Sequence, residues 1–145
     1  MKYTDFHKYL TIKTNGKADI GPTISIELGN HKIWISQGVK SKSDYKPLRF
    51  IIFPLKIYGE TIRHLNILIL DRKTKIIERY EPFDEYVNFQ QVNDLIEPFL
   101  YKWMEQRKIY FLKYQTILNS EQVLSNKNCG IYCINFIMKK LSMNN

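Results

Sequence analysis

Three residue types able to perform acyl-transfer chemistry stand at informative positions in this chain: His64, Glu81 and Cys129. His64 precedes the apolar run Leu65 to Leu70, which ends in the polar turn Asp71-Arg72-Lys73-Thr74; Glu81 follows the strand-like segment Thr74 to Tyr80. With a tight turn centred between Arg72 and Lys73, Asp71 opposes Thr74 and His64 opposes Glu81. Directly opposed side chains in an antiparallel pair have Cβ atoms about 4.5–5.5 Å apart, close enough for a carboxylate to hold an imidazole N–H. A loop of odd length would send the two to opposite faces, and the turn lacks the Asn-Gly pair that would set its length. Glu78, Asp84 and Glu85 are the alternative orienting acids, because small register changes exchange them with Glu81.

A histidine backed by a carboxylate is half of a nucleophile-activating arrangement, and the other half is a Ser or Cys brought close in space. Cys129 meets that need. It follows the polar stretch Ser125-Asn126-Lys127-Asn128 and opens an apolar helix, where the helix dipole and unpaired N–H groups favour a thiolate. Gln122, seven residues earlier, can return its amide to the helix start as an oxyanion donor, with the Cys129 N–H as the second. Cys133, one turn on, reads as a small hydrophobe in the core. Cys129 and Cys133 with His31 or His64 lack a second Cys/His pair at ligand spacing, so no metal is expected, and the chemistry needs no cofactor.

These residues must be positioned by a chain of 145 residues, a length suited to one domain spanning residues 1–145. Its 44% hydrophobic and 14% aromatic composition suits a sheet packed against helices. Residues 1–23, with Gly21-Pro22, read as surface wrapping before the first strand. Ile24 to Leu28 and Lys32 to Ile35 alternate about Gly29-Asn30 as a hairpin, and Arg49 to Phe53 reads as a buried strand with Pro54 marking an edge, bulge or end. Lys40 to Lys46 reads as a polar loop. Phe89, Val92, Ile96, Phe99, Leu100 and Trp103 fall on one helical face, with Asn88 as N-cap and a kink at Pro98. Lys108 to Tyr114 returns to strand composition, Asn119 to Asn128 is loop, and the final helix from Cys129 to Leu141 buries Ile131, Ile134, Ile137, Met138 and Leu141. His7 and His31 are expected at the surface, and Trp34 and Trp103 in the core.

The net charge of +8 favours acidic partners, but the basic residues are scattered, and groupings such as Lys40/Lys42/Lys46 read as solvated surface. Two cysteines make no disulfide framework, and the start Met1-Lys2-Tyr3-Thr4-Asp5 lacks a signal-peptide core, so a reducing compartment is expected. The apolar runs are too short to span a bilayer, and no membrane partner is expected.

The chain order His, acid, Gln, Cys, with 17 residues from His64 to Glu81 and seven from Gln122 to Cys129, closely resembles the adenovirus maturation protease and, more distantly, the proteases that remove SUMO and related modifiers. Glu81-Pro82-Phe83 resembles the adenovirus acid-Pro-Phe element, and Cys129-Gly130-Ile131-Tyr132-Cys133 its helix start. The likeness covers roughly residues 49–141; Leu65 departs from the Trp these families carry after the histidine. It implies an α+β fold, a mostly antiparallel central sheet flanked by helices with a papain-like cysteine protease core. It also implies a monomeric cysteine endopeptidase cutting capsid or core precursor polypeptides next to Gly, in the host cytoplasm, virus factory or virion, with DNA or a peptide as activator. The alternatives are an isopeptidase for ubiquitin-like modifiers, an acyltransferase of the bacterial effector type, and a non-enzymatic basic nucleic-acid-binding virion protein.

Overall fold

Nine consecutive residues, Phe50–Tyr58, form β4, and eight of them are buried, as expected of a strand covered on both faces. The computed structural model describes residues 6–37, 48–59, 63–82, 89–118 and 129–143. In chain order the elements are α1 (Phe6–Thr14), β1 (Asp19–Ile20), β2 (Thr23–Glu27), β3 (Lys32–Gln37), β4, β5 (Arg63–Asp71), β6 (Ile76–Glu81), α2 (Phe89–Gln106), β7 (Lys113–Leu118) and α3 (Cys129–Met143). The sheet runs β3-β2-β4-β5-β6-β7, with β1 also on β4. Pairs β2–β3, β4–β5 and β5–β6 are antiparallel and contain most of the paired residues; β1–β4, β2–β4 and β6–β7 are parallel. A mostly antiparallel sheet flanked by helices is therefore the observed class.

Alternation along β4 and β5 divides the core into two layers. Phe50, Ile52, Leu65, Ile67 and Ile69 face α1 and α3, meeting Phe6, Leu10, Ile134 and Ile137. Ile51, Phe53, Leu55, Leu68 and Leu70 face α2, meeting Val92, Ile96, Leu100 and Trp103. Phe53 meets Trp103 edge to face at 5.2 Å. Helix α2 runs unbroken through Pro98.

Several sequence expectations change. Residues 6–20 do not wrap the surface: Phe6 and Leu10 of α1 are fully buried, because the spacing of four puts both on one helical face. Pro54 is neither edge nor strand end. Ile52 sends its carbonyl to the Gly21 N–H at 2.7 Å, so Pro54, two residues on, turns its N–H-less nitrogen to the same neighbour, at the gap between β1 and β2. Strand β7 begins at Lys113 rather than Lys108, whose positive φ of 54° ends the helical turn before it. Ile131 is half exposed and Trp34 is 39% exposed on the outer strand β3. His31 is exposed, whereas His7 is half-buried with Nε2 3.0 Å from the Gly21 carbonyl. Residues 40–46, 88 and 119–128, including the loops and N-cap expected there, lie outside the described residues.

Two predictions follow from the packing about β4. A Cβ at Gly21 would come within 2.4 Å of the Phe53 ring; Gly21→Ala is expected to cost about 1–3 kcal/mol, read as a lower denaturation midpoint. Lys56 is 8% exposed on this strand, and burial lowers its pKa from 10.5. A lowered cation pKa opposes folding most at pH below the folded value, and the penalty vanishes above 10.5. Lys56→Met should therefore raise the melting temperature at pH 7, with a gain that shrinks as the pH climbs towards 10.5.

Candidate active site

His64 is the second residue of β5 and Glu81 the last of β6, and antiparallel pairing brings both to one end of the sheet. They do not oppose one another directly. The observed register pairs Asp71 with Ile76 and Ile67 with Tyr80, a shift of two residues from the tight-turn expectation. The cause is the loop. A two-residue primed turn needs positive φ at Arg72, and in type I′ at Lys73 as well, which side chains resist. The chain instead uses four residues, closes the Lys75 N–H on the Asp71 carbonyl at 2.8 Å, and takes one left-handed residue, Lys75 at φ 63°. The Asp71 side chain also accepts the Lys73 N–H at 2.9 Å and Arg49 Nη2 at 2.9 Å. Burial pushes the Asp71 pKa up, but the Arg49 hydrogen bond and charge, together with the backbone N–H groups of Lys73 and Thr74, outweigh it and leave the carboxyl lowered from its ordinary value.

An even shift preserves the face. Continuing the ladder one step past Ile67–Tyr80 sets Glu81 beside Asn66, with His64 the next residue along the same face. Both contacts form: His64 Nε2 is hydrogen bonded to Glu81 Oε1, and Asn66 Nδ2 donates to Glu81 Oε2 at 2.6 Å. Of the alternative acids, Glu78 lies on the other face of β6, where it pairs with Lys140, while Asp84 and Glu85 lie outside the described residues.

Behind the carboxylate stands Arg79, 1% exposed. Its Nη1 donates to Asn66 Oδ1 and lies 3.6 Å from Glu81 Oε2. Its Nε donates to Asn93 Oδ1 of α2 at 3.2 Å and to the Tyr114 hydroxyl of β7 at 3.1 Å, and Tyr114 donates to Asn93 Oδ1 at 2.7 Å. Burial raises the Tyr114 pKa against the pull of Arg79, so the phenol keeps the proton it donates. His64, Asn66, Arg79 and Glu81 are all buried, so each charge depends on these partners for its solvation. Asn66 and Arg79 were not singled out from sequence. Their signal was parity: polar residues at 64, 66, 79 and 81 fall on one face of two otherwise apolar strands.

Helix α3 packs on the other face of the sheet. Cys133, buried, places Sγ 3.7 Å from the Leu65 carbonyl, Phe136 stacks on Tyr80 at 4.2 Å, and Lys140 pairs with Glu78. These contacts advance along α3 as they retreat along β6, so the helix runs antiparallel to β6. Its first residue, Cys129, begins about 6 Å before Cys133 along the axis, towards the sheet end that carries His64 and Glu81. The Cys129 side chain and all of Gln122 lie outside the described residues. Leu65, in place of the expected Trp, packs beneath α3 rather than against His64. Among the described residues no group of three or more His, Cys, Asp and Glu gathers as a metal site, and no helix is long and apolar enough to cross a membrane.

No protein-family model matches the chain. It is 31% identical over 108 residues to uncharacterized protein 082L of Invertebrate iridescent virus 3, a match covering 70% of this chain and 65% of that protein. Among solved structures, the Legionella pneumophila effector RavZ superposes with a TM-score of 0.55 at 12% identity, covering 98% of this chain and 55% of that one. The Chlamydia abortus effector ChlaDUB gives 0.51 at 11% identity, covering 69% and 51%. The yeast Ulp1 protease domain, solved in complex with the SUMO ortholog Smt3, gives 0.50 at 19% identity, covering 66% and 42%. At these identities the shared property is the fold, that of the Ulp1-type cysteine proteases. The chain spans under two thirds of the viral relative's length and roughly half that of these structures.

Removing the Glu81 carboxylate would leave the Arg79 charge buried and poorly compensated. Glu81→Ala should destabilise the fold by about 3–5 kcal/mol in urea denaturation, well above the loss expected for an exposed glutamate.

Proposed function

We propose that this chain is a cysteine peptidase in which Cys129 is the nucleophile, His64 its base, Glu81 the group orienting the base, and Gln122 an oxyanion donor. The observation that carries the reading is the buried hydrogen bond from His64 Nε2 to Glu81, at the sheet end towards which Cys129 opens its helix. With Nε2–H given to the carboxylate, Nδ1 of the neutral ring carries the lone pair. Nδ1 takes the Cys129 thiol proton, and the positive end of α3 stabilises the thiolate. The sulfur attacks a peptide carbonyl, and the oxyanion is held by the Gln122 amide and the Cys129 N–H. His64 returns its proton to the leaving amine, and water, deprotonated by His64, releases the acyl group. No cofactor takes part.

The substrate is a protein. The motif resemblance to the adenovirus maturation protease, together with the iridescent virus relative, supports precursor polypeptides of a virus particle, cut beside small residues such as Gly in the virus factory or virion. In that reading DNA or a viral peptide serves as activator, and the +8 charge would recruit the nucleic acid. A second reading, isopeptidase action on a ubiquitin-like modifier, is favoured by the fold shared with Ulp1.

Cys129→Ala should lower cleavage of co-expressed viral precursor proteins by about 10³-fold or more, with folding retained by circular dichroism. Undiminished cleavage by Cys129→Ala overturns the assignment. Covalent capture of Cys129 by a SUMO- or ubiquitin-tipped electrophile, without precursor cleavage, selects the isopeptidase reading.

A further inference from the structure

Arginine is the one member of the buried chain of polar groups whose hydrogen-bonding sense is fixed by its chemistry, since it donates and cannot accept. The Arg79 Nη1 donor requires an oxygen at the facing position of Asn66, so Asn66 turns Oδ1 towards Arg79 and Nδ2 towards Glu81. Glu81 Oε2 thereby receives a donor, and an ionised carboxylate, acceptor at both oxygens, suits it. Glu81 Oε1 is then left to accept from His64 Nε2–H. The direction set at Arg79 passes through Asn66 and Glu81 to the imidazole.

We propose that Arg79 and Asn66 are positioning residues that hold Glu81 ionised and fix the tautomer of His64, with Nε2 protonated and Nδ1 basic. The inference rests on the peptidase reading and names how its base is prepared. The Arg79 guanidinium, 3.6 Å from Oε2, also supplies the positive charge that lets a carboxylate stay ionised in a dry site.

Among the described residues, the groups facing Glu81 come from the strands that carry and flank it. Strand β5 offers His64 and Asn66, β6 offers Arg79, and α2 and β7 offer the neutral Asn93 and Tyr114 only through Arg79. Glu97 of α2 acts on Tyr114 and raises its pKa. Among the described residues, Arg79 is thus a cation placed to offset the Glu81 charge without taking the His64 contact. Asn93 and Tyr114 in turn clamp Nε, so the guanidinium is held from both ends.

The test is the rate of iodoacetamide alkylation at Cys129 across pH 5 to 8, with buried Cys133 as internal reference and peptide mapping to separate them. In the wild-type chain Cys129 should react at pH 6 well before Cys133; equal rates would overturn the peptidase reading itself. With that met, Arg79→Gln should slow Cys129 alkylation at pH 6 by about tenfold, corresponding to a profile displaced by about one pH unit. Arg79→Lys, which keeps the charge and a donor, should restore most of the loss. Two results overturn the inference: an Arg79→Gln profile that superposes on the wild type, or Arg79→Lys losing as much as Arg79→Gln, which would assign Arg79 to packing alone. Should Arg79→Gln fail to fold, Asn66→Asp carries the test. A second carboxylate beside Glu81 should slow alkylation at pH 6 by about tenfold, and a wild-type profile there overturns the inference equally.

Discussion

A carboxylate buried at the end of a strand has to be solvated by the protein, and at Glu81 that requirement organises much of the surrounding structure. Its two oxygens accept from His64 and Asn66 on the neighbouring strand, and Arg79 on its own strand supplies the opposing charge. Each partner is buried, so removing one leaves another exposed to a low-dielectric surround rather than to water. Arg79 in turn needs Asn93 from α2 and Tyr114 from β7. A local need for charge compensation thus ties together β5, β6, β7 and α2, four elements separated in sequence.

The sheet permits this because its two faces do different work. Residues of one parity on β5 and β6 face α1 and α3 and are largely apolar there, with Glu78 meeting Lys140 of α3 as the exception. Residues of the other parity face α2, and only towards the strand ends do they become polar. Polar groups gathered at one end leave the middle of the sheet free for Leu68, Leu70, Ile77 and Phe53 against α2. Helix α3 is fixed along its length by Cys133 on Leu65, Phe136 on Tyr80 and Lys140 on Glu78. Those contacts aim its start at the polar end.

Some of this was readable in the residues. Period-two alternation located β2 and β3, strand-like segments on either side of a polar turn located β5 and β6, and a 3.6-residue period located α2 and α3, because burial leaves its trace in composition. The shared face of His64 and Glu81 was readable as parity. Helix α1 was not: Phe6 and Leu10 share the stretch with Tyr9 and Ile12, which are exposed, so the apolar residues show no single face, and only the burial of Phe6 and Leu10 in one cluster with Phe50 and Ile137 makes the helix part of the core. Pro54 misled for a similar reason, since the break between β1 and β2 that accommodates it is a property of the neighbouring strands.

What the sequence by itself determined was the inventory and its parity: a histidine and a glutamate on one sheet face, and a cysteine opening an apolar helix. The tertiary structure decided the partners. A four-residue loop moved the register by two, placed Asn66 rather than His64 beside Glu81 on the ladder, and left the histidine to reach the carboxylate from the next position. Arg79, unremarkable as one basic residue among twenty-two, became the fixed donor of the chain only because α2 and β7 close over it. Parity is written along one strand, whereas register and charge compensation depend on loop geometry and on residues brought in from distant elements.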